Sequence, residues 1–235
     1  MHIPDGYLGP PTYGGLWAAM AGIWYFASSR IKKTLKAAEV PFLALGAALS
    51  FVIMMFNVPI VGGTTGHATG TALLAITLGP WAAVIAVSIA IAVQALLFGD
   101  GGITALGANC FNMAFTDAMV SYAVYRLITR GFGKNAADGQ PRNPGKRTIL
   151  ASALAGYAGL NASAFLAAVE LGIQPILHRG LDGRPLYCPF PLKVTIPAMM
   201  VGHLAAFGPL EAAFTAFAVA YLGKAYPELL ARRTV

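Results

Sequence analysis

Long apolar runs, separated by short polar or glycine-rich breaks, fill most of the chain. They cover about Tyr13–Ser29, Val40–Val58, a third run ending at Leu78, then Trp81–Phe98, about Ala108–Leu127, Thr148–Leu171 and Lys193–Leu222. A membrane-spanning helix needs roughly 20 apolar residues. The third run is short for that and reads as an interior helix or a re-entrant piece. It follows the segment "VGGTTGHATG" (Val61–Gly70) and stops at Gly79-Pro80, which predicts a tight turn between antiparallel helices.

Composition agrees with the pattern. The 235 residues are 57% hydrophobic and only 11% charged, and the mean hydropathy is +0.66. Soluble domains carry about 25% charged residues, so the bilayer is the natural solvent here. No low-complexity linker divides the chain, and residues 1–235 read as one domain. Cys110 and Cys188 form no CxxC pair and read as two ordinary small residues.

The net charge of +7 would suit a nucleic-acid binder, but the basic residues obey membrane rules. With the N-terminus outside and each run crossing once, Arg30, Lys32, Lys33, Lys36, Arg126, Arg130, Lys134, Arg142, Lys146, Arg147, Lys224, Arg232 and Arg233 fall inside. Only Arg179, Arg184 and Lys193 fall outside. The expectation is an all-α integral membrane protein, a seven-helix bundle with its N-terminus outside and its C-terminus cytoplasmic. No cleaved leader is expected, since neither a basic leader region nor a small-residue cleavage site is apparent, and the bulky His2 is expected to leave Met1 in place.

That topology turns the opening "MHIPDG" into candidate chemistry. The α-amine of Met1, the main-chain nitrogen of His2 and its Nδ1 can close a five- and a six-membered ring on one ion. One corner of a square stays empty. His178 reads as a solvated loop histidine. His203 reads as a deep ligand or a helix-packing hydrogen-bond partner. His67, in the Gly/Thr-rich outer segment, is the best candidate, though an ordinary loop histidine stays open. Four nitrogens in a plane suit Ni(II) or Cu(II), while zinc prefers a tetrahedron and Mg or Ca prefers oxygen. The pairs Met54-Met55 and Met199-Met200 lie in apolar runs and read as packing rather than Cu(I) ligands.

"MHIPDGYLG" together with "GGTTGHATG" resembles the substrate-binding component (NikM/CbiM type) of nickel/cobalt energy-coupling factor (ECF) transporters, and the resemblance runs along the whole chain. It implies a six-helix S-component core with one additional N-terminal helix. It implies metal binding by the amine of Met1, the amide and imidazole of His2 and the imidazole of His67. The transported substrate is then Ni(II), with Co(II) as the alternative; "PDG" looks more like the nickel branch. No organic cofactor is implied. The implied partners are a transmembrane coupling (T) protein and two ATP-binding cassette ATPase subunits, with room for a small accessory membrane subunit. The place is a prokaryotic inner membrane, with multiple crossings.

The chain carries no P-loop and no HExxH, so neither ATP hydrolysis nor intramembrane proteolysis is expected of it. A stand-alone secondary transporter is the rival. It would call for internal repeats and intramembrane carboxylates, and only Asp117 and Glu211 lie well within apolar runs. Asp5 reads as a cap of the first helix or a support for a ligand. Asn109, Asn112 and Asp117 are expected to orient His67 or the N-terminal segment. Glu170, Arg179, Asp182 and Arg184 read as solvated loop charges. The rows Ala44-xxx-Ala48 and Gly46-xxx-Ser50 suit either intramolecular packing or contact with a partner helix.

Overall fold

The computed structural model describes residues 1–60, 64–129, 144–227 and 230. The expected inner charges Arg130, Lys134, Arg142, Arg232 and Arg233, and the glycines Gly62 and Gly63, lie outside them.

Helices form within the apolar runs, and their ends have local causes. Helix α1 (Pro10–Thr34) starts with two prolines behind Gly9, where the missing N–H groups cost nothing. It runs past the apolar residues through Lys32 and Lys33, whose charges suit a helix C-terminus. Helix α2 (Val40–Met54) ends earlier than expected. Pro59 restricts Val58 to extended backbone, and Val58–Ile60 pairs antiparallel with Thr64–Gly66 as strands β1 and β2. Helix α3 (Thr71–Thr77) is buried from Thr71 to Ile76, so the short third run is an interior helix. Gly79 turns the chain into α4 (Pro80–Phe98).

Helix α5 continues from Leu106–Asn109 through a π-type stretch, Cys110–Thr116, to Asp117–Thr129. Helix α6 is Lys146–Gly172, and α7 is Leu192–Ala225 with Pro197 inside it. Among the described residues, Pro80–Phe98, Lys146–Leu177 and Leu192–Ala225 are long and apolar enough to cross a membrane, and Val40–Met54 is a shorter apolar helix.

Small residues set the helix crossings. A Cβ on Gly107 would lie 2.8 Å from the Trp17 backbone, where α5 meets α1. Gly159 lets α6 close on Asp117 and Ser121 of α5, and a Cβ on Gly156 would lie 2.9 Å from Thr215 Oγ1 of α7. In α2 the two rows part company. Gly46 packs on Leu74 of α3 and Ser50 donates to the Thr69 carbonyl at 2.7 Å, while Ala44 and Ala48 stay exposed. Cys110 and Cys188 are buried free thiols.

Candidate metal centre

Residues 1–9 form no helix or strand, yet the bundle holds them almost residue by residue. The Met1 amine donates to the Thr65 carbonyl and, at 3.1 Å, to Thr65 Oγ1. Thr64 Oγ1 donates to the His2 carbonyl at 3.1 Å. The Asn109 side chain pairs with both main-chain groups of Ile3, accepting from its N–H at 2.8 Å and donating to its carbonyl at 3.1 Å; Gly102 N–H adds a second donor at 2.9 Å. Cys188 N–H donates to Tyr7, and Gly9 N–H donates to Gln174 Oε1 at 3.0 Å. Irregular backbone inside a membrane protein needs such partners. Strand β2 thus sets Thr64 and Thr65 against the chain start.

Two histidine rings meet in this pocket. His2 and His67 stack with centroids 4.9 Å apart and planes 25° from parallel, and both are buried. His67 Nδ1 lies 3.0 Å from the Ala68 carbonyl. A carbonyl only accepts, so Nδ1 carries the proton and Nε2 keeps its lone pair. That Nε2 and both ring nitrogens of His2 have no hydrogen-bond partner among the described residues; His2 Nδ1 does stand 3.4 Å from Asp100 Oδ1. Buried polar atoms are normally satisfied. Three lone ring nitrogens beside a buried amine fit a cation arriving as substrate. Burial lowers the pKa of both the Met1 amine and the His2 ring, with Asp100 opposing it at the amine. Both groups therefore favour the neutral, donor form. No cluster of three His, Cys, Asp or Glu side chains suited to a metal occurs among the described residues, so main-chain and terminal nitrogens are needed to complete a set.

The loop after His67 is held from below by carboxylates. Thr69 N–H and Gly70 N–H donate to Glu211 Oε2 at 2.8 and 3.1 Å, and Thr69 Oγ1 donates to Asp117 Oδ2 at 2.9 Å. Gly70 has φ +69, open to glycine without strain. Asn109 and Asp117 thus do what the sequence suggested, one at the N-terminal segment and the other at the His67 loop. Asn112 instead donates to Glu170 at 2.8 Å.

Several expectations are corrected. Glu170 is buried, not a solvated loop charge, because α6 stays inside the bundle through Gly172 and turns this side chain toward α5. Asp182 and Arg184 are exposed and pair at 3.6 Å, and Arg179 is exposed. Asp5 neither caps α1 nor lies on the rings. It accepts from Ile103 N–H at 3.1 Å, Thr104 N–H at 2.8 Å and the Thr104 hydroxyl, pinning the turn before α5, and that hydroxyl leads the contacts that hold its carboxyl below the usual range. His178 is not simply solvated; its ring lies against Gly9 and edge-on to Tyr187. His203 accordingly makes a packing hydrogen bond, from Nδ1 to the Met199 carbonyl at 2.7 Å, at the start of a π-type turn, His203–Phe207.

Gln94 and Asp100 escaped the sequence reading. Gln94 opens the π-type turn Gln94–Phe98, is fully buried, and leaves both its side-chain polar atoms without a hydrogen-bond partner among the described residues. Its signal was a lone amide in an apolar run.

The bundle and pocket define a membrane-embedded helical protein with a buried, nitrogen-rich pocket built around its first residues. The family model described as CbiM, "Cobalt uptake substrate-specific transmembrane region", matches residues 2–229. The chain belongs to this family. It is 52% identical to a fused nickel transport protein NikMN of Rhodobacter capsulatus over 99% of its own length and 65% of that protein. It is 46% identical to a probable fused nickel transport protein LarMN of Lactiplantibacillus plantarum, over 97% of its length and 66% of the relative. The chain thus spans somewhat less than two thirds of these fused relatives. A crystal structure of a truncated transition metal transporter superposes with a TM-score of 0.87 at 48% identity, covering 96% of this chain and 99% of that one. These relatives are all named as transport proteins or transporters.

Proposed function

We propose that this chain is the metal-binding S-component of an ECF-type importer and takes Ni(II) from the outer side of the membrane. The ligands are the Met1 α-amine, the His2 main-chain nitrogen and Nδ1, and His67 Nε2, in a square plane. One observation carries the reading: the Met1 amine is buried beside two stacked imidazoles, and His67 Nε2 and both His2 ring nitrogens have no hydrogen-bond partner among the described residues. Nickel is preferred over cobalt because four nitrogens in a plane suit a d8 ion, and two of the similar relatives are named nickel transport proteins. The whole chain acts as one domain with seven crossings, the His67 segment and α3 together making the third. Its N-terminus faces outward and its C-terminus the cytoplasm of a prokaryotic cell. Uptake is driven by a coupling protein and two ATPase subunits. The exposed Ala44 and Ala48 row of α2 suits close approach of a coupling helix.

Titration of the purified protein with Ni(II) tests the site. The expected result is one ion per chain in a diamagnetic state, since square-planar d8 nickel is low-spin. A paramagnetic six-coordinate complex would contradict it. Vesicles holding this chain alone should not accumulate nickel; accumulation without ATPase subunits would favour the secondary-transporter reading.

A further inference from the structure

The ring nitrogens need a route to solvent, and the carboxylate beside His2 keeps more exposed surface than the His2 ring does. Met1 and His67 have no exposed surface. The His2 side chain keeps 2%, while that of Asp100 keeps 18%. Asp100 sits in the turn between α4 and α5, flanked by Gly99 and Gly101, both with positive φ. A Cβ on Gly101 would lie 3.2 Å from the His2 ring, so glycine lets this turn press against the pocket. One oxygen of Asp100 lies 3.4 Å from His2 Nδ1, and the other accepts a 3.0 Å hydrogen bond from Asn57. The first contact is long and easily exchanged. The second fixes the carboxylate in place.

We infer that Asp100 is the capture carboxylate of this pocket: a hydrated divalent cation pairs with it first, then moves onto the nitrogens. The inference rests on the nitrogen site proposed above. Nδ1 is the ring atom that the six-membered chelate requires, and Asp100 guards that atom from the solvent side. As the ion moves in, its bonds to water break and bonds to nitrogen form. The His2 amide N–H breaks as the metal–nitrogen bond forms, and its proton leaves to solvent water. A dipositive ion with one amide anion carries a net charge of +1, which the adjacent carboxylate neutralises in a low-dielectric pocket. Nickel exchanges its waters slowly, so the population of the encounter pair governs the rate of capture.

Stopped-flow mixing of Ni(II) with the intact protein tests this at low and high salt. Asp100→Asn keeps the shape and can still accept from Asn57. It should slow capture about 10-fold at low salt, and the gap should close near 1 M salt, where the Debye length falls to about 3 Å. Asp100→Glu should recover most of the native rate. A native capture rate in Asp100→Asn would overturn the inference, as would equal slowing at both salts or an Asp100→Glu as slow as Asp100→Asn. Failure of the native protein to bind nickel sinks the nitrogen site itself; native binding with an indifferent Asp100→Asn sinks only the capture role.

Discussion

The first nine residues and the outer faces of α2 and α7 invert the usual relation between order and burial. The former have no regular secondary structure, yet Met1, Ile3 and Leu8 are buried. The latter are regular helices that leave Leu45, Val52, Val201 and Phe217 exposed, Phe217 by 76%. Backbone bonding explains the contrast. A helix satisfies its own N–H and C=O groups and can face lipid; an irregular segment must find partners, and finds them only inside the protein. Residues 1–9 borrow them from Thr64, Thr65, Asn109 and Gln174. Of these two regions, the irregular one is therefore the one more closely specified by its neighbours.

Substitutions on the two sides of this contrast should differ by orders of magnitude. His67→Ala removes a proposed ligand outright and should weaken Ni(II) binding about 100-fold or more, beyond the loss typical of a supporting residue, as read by competition with a chromophoric chelator. Glu211→Leu leaves the N–H groups of Thr69 and Gly70 buried without their acceptor, at about 1–3 kcal/mol each. Its melting temperature should fall by several degrees, and nickel affinity by about 10-fold. Asn109→Ala should loosen Ile3 and reduce affinity by a smaller factor, with faster nickel release in stopped-flow chelator exchange. Phe217→Ala, on the exposed face, should change stability by less than about 0.5 kcal/mol and leave binding unaltered. A Phe217→Ala that matched Asn109→Ala would erase the contrast.

Much of the helical frame was legible because apolar runs and membrane helices share one length scale. The α2 end was misplaced because Val58 and Ile60 are as apolar as the helix before them; only Pro59 marks the change to a strand. Met1, His2 and His67 stood out as an opening able to chelate and a glycine-rich histidine segment, and the fold stacks the His2 and His67 rings beside the chain start. Asp100 was hidden in a glycine-rich turn whose approach to His2 depends on the tertiary placement of α4 and α5. Glu211 stood out as a carboxylate in an apolar run, but its hold on the His67 loop spans more than 140 positions and leaves no local pattern. Glu170 was misread because α6 outlasts the apolar run only slightly, and a charge at a run's end looks the same whether it faces water or a neighbouring helix.

The most direct measurement compares nickel affinity of the protein starting at Met1 with that of a version bearing a Gly-Ser extension before it. The extension preserves every side chain, including His2 and His67, and converts the amine into a secondary amide. Loss of high-affinity binding by the extended protein, with its helical fold intact, is the predicted result. Equal affinity in the two proteins would contradict a site built on the start of the chain.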